Sequence, residues 1–230
     1  MNYSFPVSNK LDYFLEKFNL GKIVNLKNRI KTNKNIKLKS NNLIRRLEIG
    51  PGLERIKDFE SLNFIDGQNT DYISDLSKAN LPFEDCIFDV IYCSHIMEHM
   101  PWYKIDEIFV ELYRILKPNG VLEIWVPDGL KVCKNIIEFE ENEIDNIYLD
   151  GWYKLNEDKD PIKWGSARMF SYGDGLGNLN HHNWHRGMFT EKYLFRTFKN
   201  AGFYNVTKME NNEVRGYDHG WINLGVKGIK

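Results

Sequence analysis

Apolar runs and turns alternate between Leu43 and Asp128 in a pattern that predicts a buried, mostly parallel sheet. The run Leu43–Ile49 alternates imperfectly, as expected for a strand that is buried on both faces. A tight turn, Gly50–Gly52, follows it. Four further apolar runs predict strands at Leu62–Ile65, Asp71–Leu76, Phe88–Cys93 and Val121–Val126. Strands of this kind, each ending in a turn, are typical of a nucleotide-type binding half-sheet.

Apolar residues at helical spacing predict the helices around this sheet. An amphipathic helix is expected over 10–30, broken at Gly21, and the polar, basic stretch Thr32–Asn42 is expected to be a linker or a frayed end. A buried stripe predicts a helix over Trp102–Leu116, which Pro118-Asn119-Gly120 would stop. Two more helices are predicted at Leu130–Glu143 and Thr190–Ala201, and two edge strands, paired like a hairpin, at Tyr204–Met209 and Trp221–Lys227.

A long irregular segment separates the half-sheet from the last helix. Residues 143–188 are rich in aromatic residues, glycine and histidine, unlike a solvated linker. Such a segment is typical of a lid or a substrate-binding insertion. The predicted organisation is therefore a basic helical cap and linker over 1–42, followed by one domain over 43–230 that carries this insertion.

Composition limits the class of protein. The chain has 230 residues, 42% of them hydrophobic and 14% aromatic, which is enough for a full core. Its mean hydropathy of -0.50 and the lack of a long apolar run predict no membrane span, and no secretory leader opens the sequence. The three cysteines, without a C-x-x-C pair, favour reduced thiols in a cytoplasmic protein.

Charge is distributed unevenly along the chain. The net charge is -1, but residues 1–46 hold eleven Lys or Arg and two acids, a local charge of about +9. This basic arm suits an anionic partner such as a phosphorylated substrate, a membrane surface or nucleic acid. An Asn-, Lys- and Ile-rich chain is equally typical of an A/T-rich genome, in which case the lysines are simply solvated.

The turn after the first strand indicates what the half-sheet binds. A dinucleotide site continues as G-x-G-x-x-G, whereas here Gly50 and Gly52 are followed by Leu53, Glu54 and Arg55. A glutamate near a pyrophosphate is electrostatically unfavourable. Carboxylates at Glu48 and nearby instead favour a cationic ligand, an ammonium or a sulfonium. The alternative is a turn that only connects a strand to a helix.

Two aspartates follow later strands of the half-sheet. Asp66, at the end of the second strand, is placed to accept both hydroxyls of a ribose, and Asp75-Leu76 to meet an adenine amino group. The alternative for Asp66 is a turn residue or a helix N-cap.

Taken together, these motifs resemble class I S-adenosylmethionine-dependent methyltransferases of the broad type-11 group, over about 85 residues. The resemblance implies a Rossmann-like α/β fold with a seven-stranded, mostly parallel sheet and helices on both faces, and S-adenosylmethionine as the cofactor. The segments Ser94–His99 and Trp125–Asp128 look like those of a subgroup that is often associated with bacterial surface-polysaccharide gene clusters. The matching pieces are Leu47–Gly52, Leu81–Phe83, Phe88–Ile91, Ser94–His99, Arg114–Gly120 and Trp125–Asp128.

The resemblance also implies roles for single residues. Glu48 would lie near the methionine amino group, and the turn would let the backbone approach the cofactor. Two departures concern this turn: the third glycine is absent, and the segment before the second strand is short. The cofactor-binding residues implied are Glu48, Gly50, Pro51, Gly52, Asp66, Gly67, Asp75, Leu76, Ser94 and His95.

Histidines are the candidates for acceptor chemistry. Transfer to a hydroxyl requires removal of a proton, and histidine does this at neutral pH. His95, beside the expected methyl group, and His185 are the predicted bases; the alternative for His95 is a packing role. His181, His182 and His185 form a histidine cluster. Because no cysteine or paired carboxylate is close to it in the sequence, we predict no metal site there. Predicted substrate contacts are Tyr172, His181, His182, Trp184 and Arg186.

The predicted reaction is O-methylation of a sugar, a nucleotide sugar or a phosphorylated precursor of a bacterial surface glycan. The alternatives are N-methylation of a small molecule, and a cofactor-binding protein without catalysis. Methylation of nucleic-acid bases is disfavoured, because Cys93–Ile96 stands where an Asn-Pro-Pro-Tyr motif would be. We expect no stable nucleic-acid partner and a monomer or homodimer.

Overall fold

A computed structural model describes residues 21–142 and 155–230 as one seven-stranded sheet with helices packed on it. The first part of the predicted helix over 10–30 and the aromatic group Gly151-Trp152-Tyr153 lie outside the described residues. The strands are β1 Arg46–Ile49, β2 Glu60–Asn63, β3 Tyr72–Ile73, β4 Phe88–Ser94, β5 Leu116–Pro127, β6 Tyr204–Met209 and β7 Asn223–Ile229.

The strand order creates a reversal in the middle of the sheet. The order is β3-β2-β1-β4-β5-β7-β6, in which β1 to β5 pair in parallel and β7 is antiparallel to both of its neighbours. The chain proceeds outward from β1 in one direction and outward from β4 in the other. Ligands of open α/β sheets bind beyond the carboxyl ends of the strands at such a reversal. The predicted seven-stranded, mostly parallel sheet is thus confirmed.

Helices complete the fold. The helix Ile105–Ile115 is strongly amphipathic. It buries Ile105, Ile108, Phe109, Leu112 and Ile115 in the main core. No helix in the two described ranges is long and apolar enough to cross a membrane. The helices are α1 Gly21–Lys39, α2 Ile105–Ile115, α3 Gly129–Asn142, α4 Pro161–Phe170 and α5 Glu191–Asn200.

The prediction of a linker over Thr32–Asn42 is wrong, because α1 continues to Lys39. Its polar side chains hold the helix to the sheet edge instead of facing water. The Thr32 hydroxyl is buried and accepts a hydrogen bond from the amide of Ile73 at 2.9 Å. Asn35 donates to the carbonyl of Asp71 at 2.7 Å. A hydrophobicity pattern cannot detect a helix that docks through hydrogen bonds.

The connection from β1 to β2 contains no helix, and polar contacts stabilise this part of the sheet. Arg45 donates to both carboxylate oxygens of Glu60, at 2.9 and 2.8 Å, and to the hydroxyl of Tyr72 at 3.1 Å. Arg45 and Glu60 are both buried, so each charge depends on the other.

Other boundaries also differ from the predictions. The third strand is shorter than expected, and Asp75 lies beyond it. The fifth strand begins at Leu116 and includes the Pro118-Asn119-Gly120 segment. Helix α4 lies inside the segment that was predicted to be irregular; its cap, Asp160, accepts from the amide of Lys163. That helix buries Trp164 completely, so its apolar stripe is short and easily missed.

Candidate active site

The glycine turn lies at the reversal of the sheet, as a ligand site requires. Gly50 and Gly52 have φ angles of 74° and 59°, which favour glycine. A Cβ atom on Gly50 would lie 2.1 Å from the side chain of Ile96, whereas one on Gly52 would meet nothing within 4 Å. Gly50 therefore combines a conformational and a steric requirement.

Glu48, on β1, is buried and supports this turn. Its Oε2 atom accepts a hydrogen bond from the amide of Ile56 at 2.8 Å. Burial raises the pKa of this carboxyl, against the lowering effects of that hydrogen bond and of Arg55. No helix lies between β1 and β2, so the glycine turn begins this connection. The hydrogen bond from Ile56 to Glu48 fixes the path of the chain from the turn toward β2.

Asp66 and Gly67 lie in the loop after β2, and Asp66 forms an ion pair with Lys31 of α1. Both side chains are partly exposed, with 40% of the Asp66 side chain accessible. A pair that exposed contributes little to stability. A ligand that makes stronger hydrogen bonds to Asp66 can therefore displace Lys31.

Asp75 caps the 3₁₀ helix at 76–78. Its Oδ1 atom accepts from the amide and the hydroxyl of Ser77, at 3.0 and 2.7 Å. Leu76 is buried at 4% exposure. Asp75 is therefore the N-cap of this short helix, a position that is compatible with a backbone that faces a ligand.

His95 follows Ser94 at the end of β4 in a left-handed conformation, with φ of 52°. Its Nε2 atom is 2.9 Å from Oδ1 of Asn223, and its Nδ1 atom is 3.3 Å from Oε1 of Glu98. Both neighbours are acceptors, and a neutral imidazole can donate to only one of them. A role as base would require one ring nitrogen to leave its partner.

Polar residues just before and at the start of β7 reach the site. Asn223 donates through Nδ2 to Oδ1 of Asp218 at 2.7 Å, which orients its carbonyl oxygen toward His95. The ring of His219 stacks on that of His95 with centroids 3.6 Å apart. Sequence reasoning missed Asn223, because it lies 128 positions from His95.

Glu98 is the most deeply placed charged group of the site, at 2% exposure. Burial acts to raise its pKa, but the hydrogen bond from His95 and the charges of His95, His99 and His185 lower it to about 2. Its Oε2 atom is buried and has no hydrogen-bond partner in the described part of the chain. The carboxylate is thus ionised at neutral pH, with one oxygen available.

His99 and His185 lie beside this carboxylate. Their rings pack edge to face with centroids 4.8 Å apart. The backbone joins the two segments, because the amides of Arg186 and Gly187 both donate to the carbonyl of Glu98, at 2.6 and 3.0 Å. Burial lowers the pKa of His185. The sequence placed no carboxylate near the histidine cluster, whereas the fold brings Glu98 to it.

The remaining predicted substrate residues line the loop between α4 and α5. His182 contacts the ring of Phe64, just after β2, with centroids 4.8 Å apart, so this loop reaches the Asp66 side of the site. Trp184 packs under Gly173 and donates to the carbonyl of Asn178 at 2.8 Å. Within the same loop, Tyr172, His181 and Trp184 are partly buried, and the side chain of Arg186 is exposed.

Trp164 and Arg215, an aromatic and a cationic side chain of types that often contact substrates, have structural partners. Trp164 is fully buried and stacks on Trp221, in a small core with Val132. Arg215 donates to both oxygens of Glu123, at 2.6 and 2.7 Å. The buried ring of Trp164 is therefore not available for stacking on a substrate. The guanidinium of Arg215 binds Glu123 and not a substrate anion.

A comparison with known families matches part of the chain. Residues 55–124, which begin just after the glycine turn and end within β5, match a family model described as a methyltransferase domain. This segment of the chain is therefore similar to a methyltransferase domain. The reversal between β1 and β4 is where an open α/β sheet binds a ligand.

Solved methyltransferase structures are similar to this one at low identity. One is a possible histamine N-methyltransferase from Thermotoga maritima, 17% identical, with a TM-score of 0.44, covering 95% of this chain and 99% of that one. Another, from Archaeoglobus fulgidus, is 15% identical with a TM-score of 0.44 and covers 95% and 98%. A third, from Mesorhizobium loti, is 14% identical with a TM-score of 0.47 and covers 81% and 91%. No curated protein matches the chain.

Proposed function

We propose that this chain is an S-adenosylmethionine-dependent methyltransferase that transfers a methyl group to a hydroxyl oxygen of a sugar, a nucleotide sugar or a phosphorylated precursor of a bacterial surface glycan, in the cytoplasm. The main support is a group of four side chains: His95, Glu98 and His99 follow β4 directly, and His185 of the loop before α5 lies beside them. A hydroxyl must lose its proton during methyl transfer, and this group supplies titratable side chains where the donor's methyl group is expected.

The donor would lie across the carboxyl ends of β1, β2 and β4. Asp66 would exchange Lys31 for the two ribose hydroxyls, as charge-assisted hydrogen bonds to a partly exposed carboxylate allow. Glu48 would support the methionine end through the glycine turn. The remaining donor contacts are assigned to Gly50, Pro51, Gly52, Gly67, Asp75, Leu76, Ser94 and His95.

Proton removal is assigned to the histidine group, with His95 and His185 as its candidate members. His185 donates from Nδ1 to the carbonyl of Arg168 at 3.0 Å, so its neutral form carries a lone pair on Nε2. Its lowered pKa keeps that form populated at neutral pH. His95 would act after releasing Asn223 or Glu98.

The acceptor would be held by the loop over the site. The contact between His182 of this loop and Phe64, just after β2, supports this assignment. The ring of Trp184 suits the face of a sugar, and the exposed guanidinium of Arg186 suits a phosphate. Tyr172 and His181 would add polar contacts.

A screen of acceptors tests this function. The purified protein is incubated with S-adenosylmethionine and either sugar nucleotides, sugar phosphates or small amines, and the formation of S-adenosylhomocysteine is measured. We expect turnover with a sugar compound and a product that has gained one methyl group on oxygen. Turnover with amines alone would assign the alternative N-methyltransferase function, and cofactor binding without any turnover would support a non-catalytic partner.

Substitution of the histidines separates catalysis from donor binding. His95→Gln and His185→Gln should each reduce turnover at least about 100-fold, with S-adenosylhomocysteine affinity nearly unchanged. Equal turnover in both variants and the native protein would overturn the assignment of proton removal to these residues.

A further inference from the structure

Three potential metal ligands converge beside the proposed methyl position. One ligand atom from each of Glu98, His99 and His185 lies within 4.8 Å of the other two. Ligands around a tetrahedral cation with bonds of about 2.0–2.2 Å are roughly 3.3–3.6 Å apart. The three side chains would therefore need to close by at most about 1.5 Å, which small rotations provide.

Both histidines are oriented in the way that metal ligation requires. His185 faces the carbonyl of Arg168 through Nδ1 at 3.0 Å, and His99 faces the carbonyl of Trp184 through Nδ1 at 3.4 Å. A carbonyl only accepts, so each Nδ1 carries the proton and each neutral ring presents a lone pair on Nε2. A second ring nitrogen held by a backbone carbonyl is the usual arrangement around a metal-bound histidine.

Glu98 supplies an independent observation. The side chain is 2% exposed, and its Oε2 atom is buried without a hydrogen-bond partner among the described residues. Its other oxygen is held by His95. A buried carboxylate oxygen without a partner is energetically costly, and a bound cation is one of the few groups that can compensate for it.

We propose that Glu98, His99 and His185 bind one divalent first-row transition cation. Two imidazoles and one carboxylate form a ligand set used by zinc, and with open positions by iron(II). A cavity of about 20 Å³ borders Glu98, His185 and Arg168, and this volume is sufficient for one water molecule or a comparable ligand. The site would therefore leave room for one further ligand beside Glu98 and His185.

The cation site itself is independent of the acceptor's identity, but its role in catalysis rests on the proposed function. An acceptor hydroxyl on the cation would lose its proton to solvent more readily, because the cation lowers the hydroxyl's pKa. The oxygen then forms a bond to the methyl carbon while the carbon–sulfur bond breaks, and the sulfonium becomes the neutral thioether of S-adenosylhomocysteine. With the cation bound, His185 is a ligand and no longer a candidate base, and His95 positions Glu98.

Cobalt(II) provides a direct binding test with the 230-residue chain. The protein is treated with a chelator, freed of any affinity tag and titrated with cobalt(II), whose visible absorption reports coordination by nitrogen and oxygen. We expect one equivalent to bind and the thermal unfolding temperature to rise. The native protein failing to bind cobalt(II), zinc(II) or manganese(II) stoichiometrically would overturn the site.

Matched variants assign the ligands. Glu98→Gln, which preserves shape, His99→Asn and His185→Asn should each weaken cobalt(II) binding at least about 10-fold, whereas His182→Asn, outside the ligand set, should bind as the native chain does. Circular dichroism verifies that each variant is folded. If the Glu98→Gln variant does not fold, His99→Asn provides the test of the ligand assignment. Native-like affinity in the folded ligand variants would contradict the assignment. Cobalt(II) binding without methylation of any sugar compound would retain the cation site and remove only the proposed acceptor.

Discussion

The donor side and the acceptor side of the site are assembled in opposite ways. On the donor side, β1 to β3 and their loops lie within residues 46–78, and polar contacts such as Arg45–Glu60 hold them where a helix would normally pack. On the acceptor side, Glu98 meets His185 and His95 meets Asn223, from segments 87 and 128 positions apart. Donor binding thus depends on local motifs, whereas acceptor chemistry depends on the complete fold.

The buried pair on the donor side gives the largest expected effect. Glu60→Ala leaves the Arg45 guanidinium buried without its carboxylate, so the free energy of unfolding should fall by about 3–5 kcal/mol. Chemical denaturation measures this. Glu107→Ala is the control, because its pair with Lys104 is exposed and its loss should cost less than about 1 kcal/mol. Equal losses in the two variants would show that polar contacts do not hold this half of the sheet.

Removing the ribose carboxylate gives the next effect. Asp66→Ala should weaken binding of S-adenosylhomocysteine about 100-fold, because two charge-assisted hydrogen bonds are lost. Calorimetric titration measures the affinity. Asp158→Ala removes an exposed carboxylate paired with Lys163, remote from the donor strands in sequence, and should leave the affinity unchanged. An Asp66 variant that binds normally would assign the ribose to another residue.

The pH dependence of stability tests the contact between His182 of the acceptor side and Phe64 of the donor side. Burial, with the charges of His181 and His99, lowers the pKa of His182 to about 4 from its usual 6.5. Between these pH values the unfolded chain binds the proton and the folded chain does not, so stability falls as pH falls from about 6.5 to 4. His182→Phe retains a ring against Phe64 and should lose less unfolding free energy over this range. Equal losses of unfolding free energy in this variant and in the native protein would contradict a partly buried, neutral His182.

Lys31 gives the smallest effect. Lys31→Ala removes a partly exposed ion pair, so the free energy of unfolding should change by less than about 1 kcal/mol. Because Lys31 competes for Asp66, affinity for S-adenosylhomocysteine should rise a few-fold. A clear decrease in affinity would instead make Lys31 part of the donor site.

The positions of the glycine turn and of Asp66 at the edge of the sheet could be predicted from the sequence, and the reason is physical. A turn with positive φ angles requires glycine, and a strand end that meets a ligand requires a polar residue, so Gly50 and Asp66 are identifiable from type and spacing. The seven-stranded sheet followed from the same motifs and is confirmed. The roles of single cofactor residues remain predictions.

The acceptor side could not be assembled in this way. Nothing in the sequence shows that Arg168 orients His185, or that Asn223 faces His95, because these contacts depend on how β7 and the end of α4 pack. The sequence did not predict that helix α1 continues beyond Thr32, for a related reason. Thr32 holds this helix to the sheet through a hydrogen bond and not through an apolar stripe. Prediction failed where long-range polar contacts determine the structure.

A crystal structure of the complex with S-adenosylhomocysteine is the most direct test of a donor site and an acceptor site that meet at the end of β4. We expect the ribose hydroxyls on the Asp66 carboxylate, with Lys31 displaced, and the sulfur atom directed toward Glu98, His99 and His185. A ribose bound elsewhere, or a sulfur atom directed away from these three residues, would contradict the account.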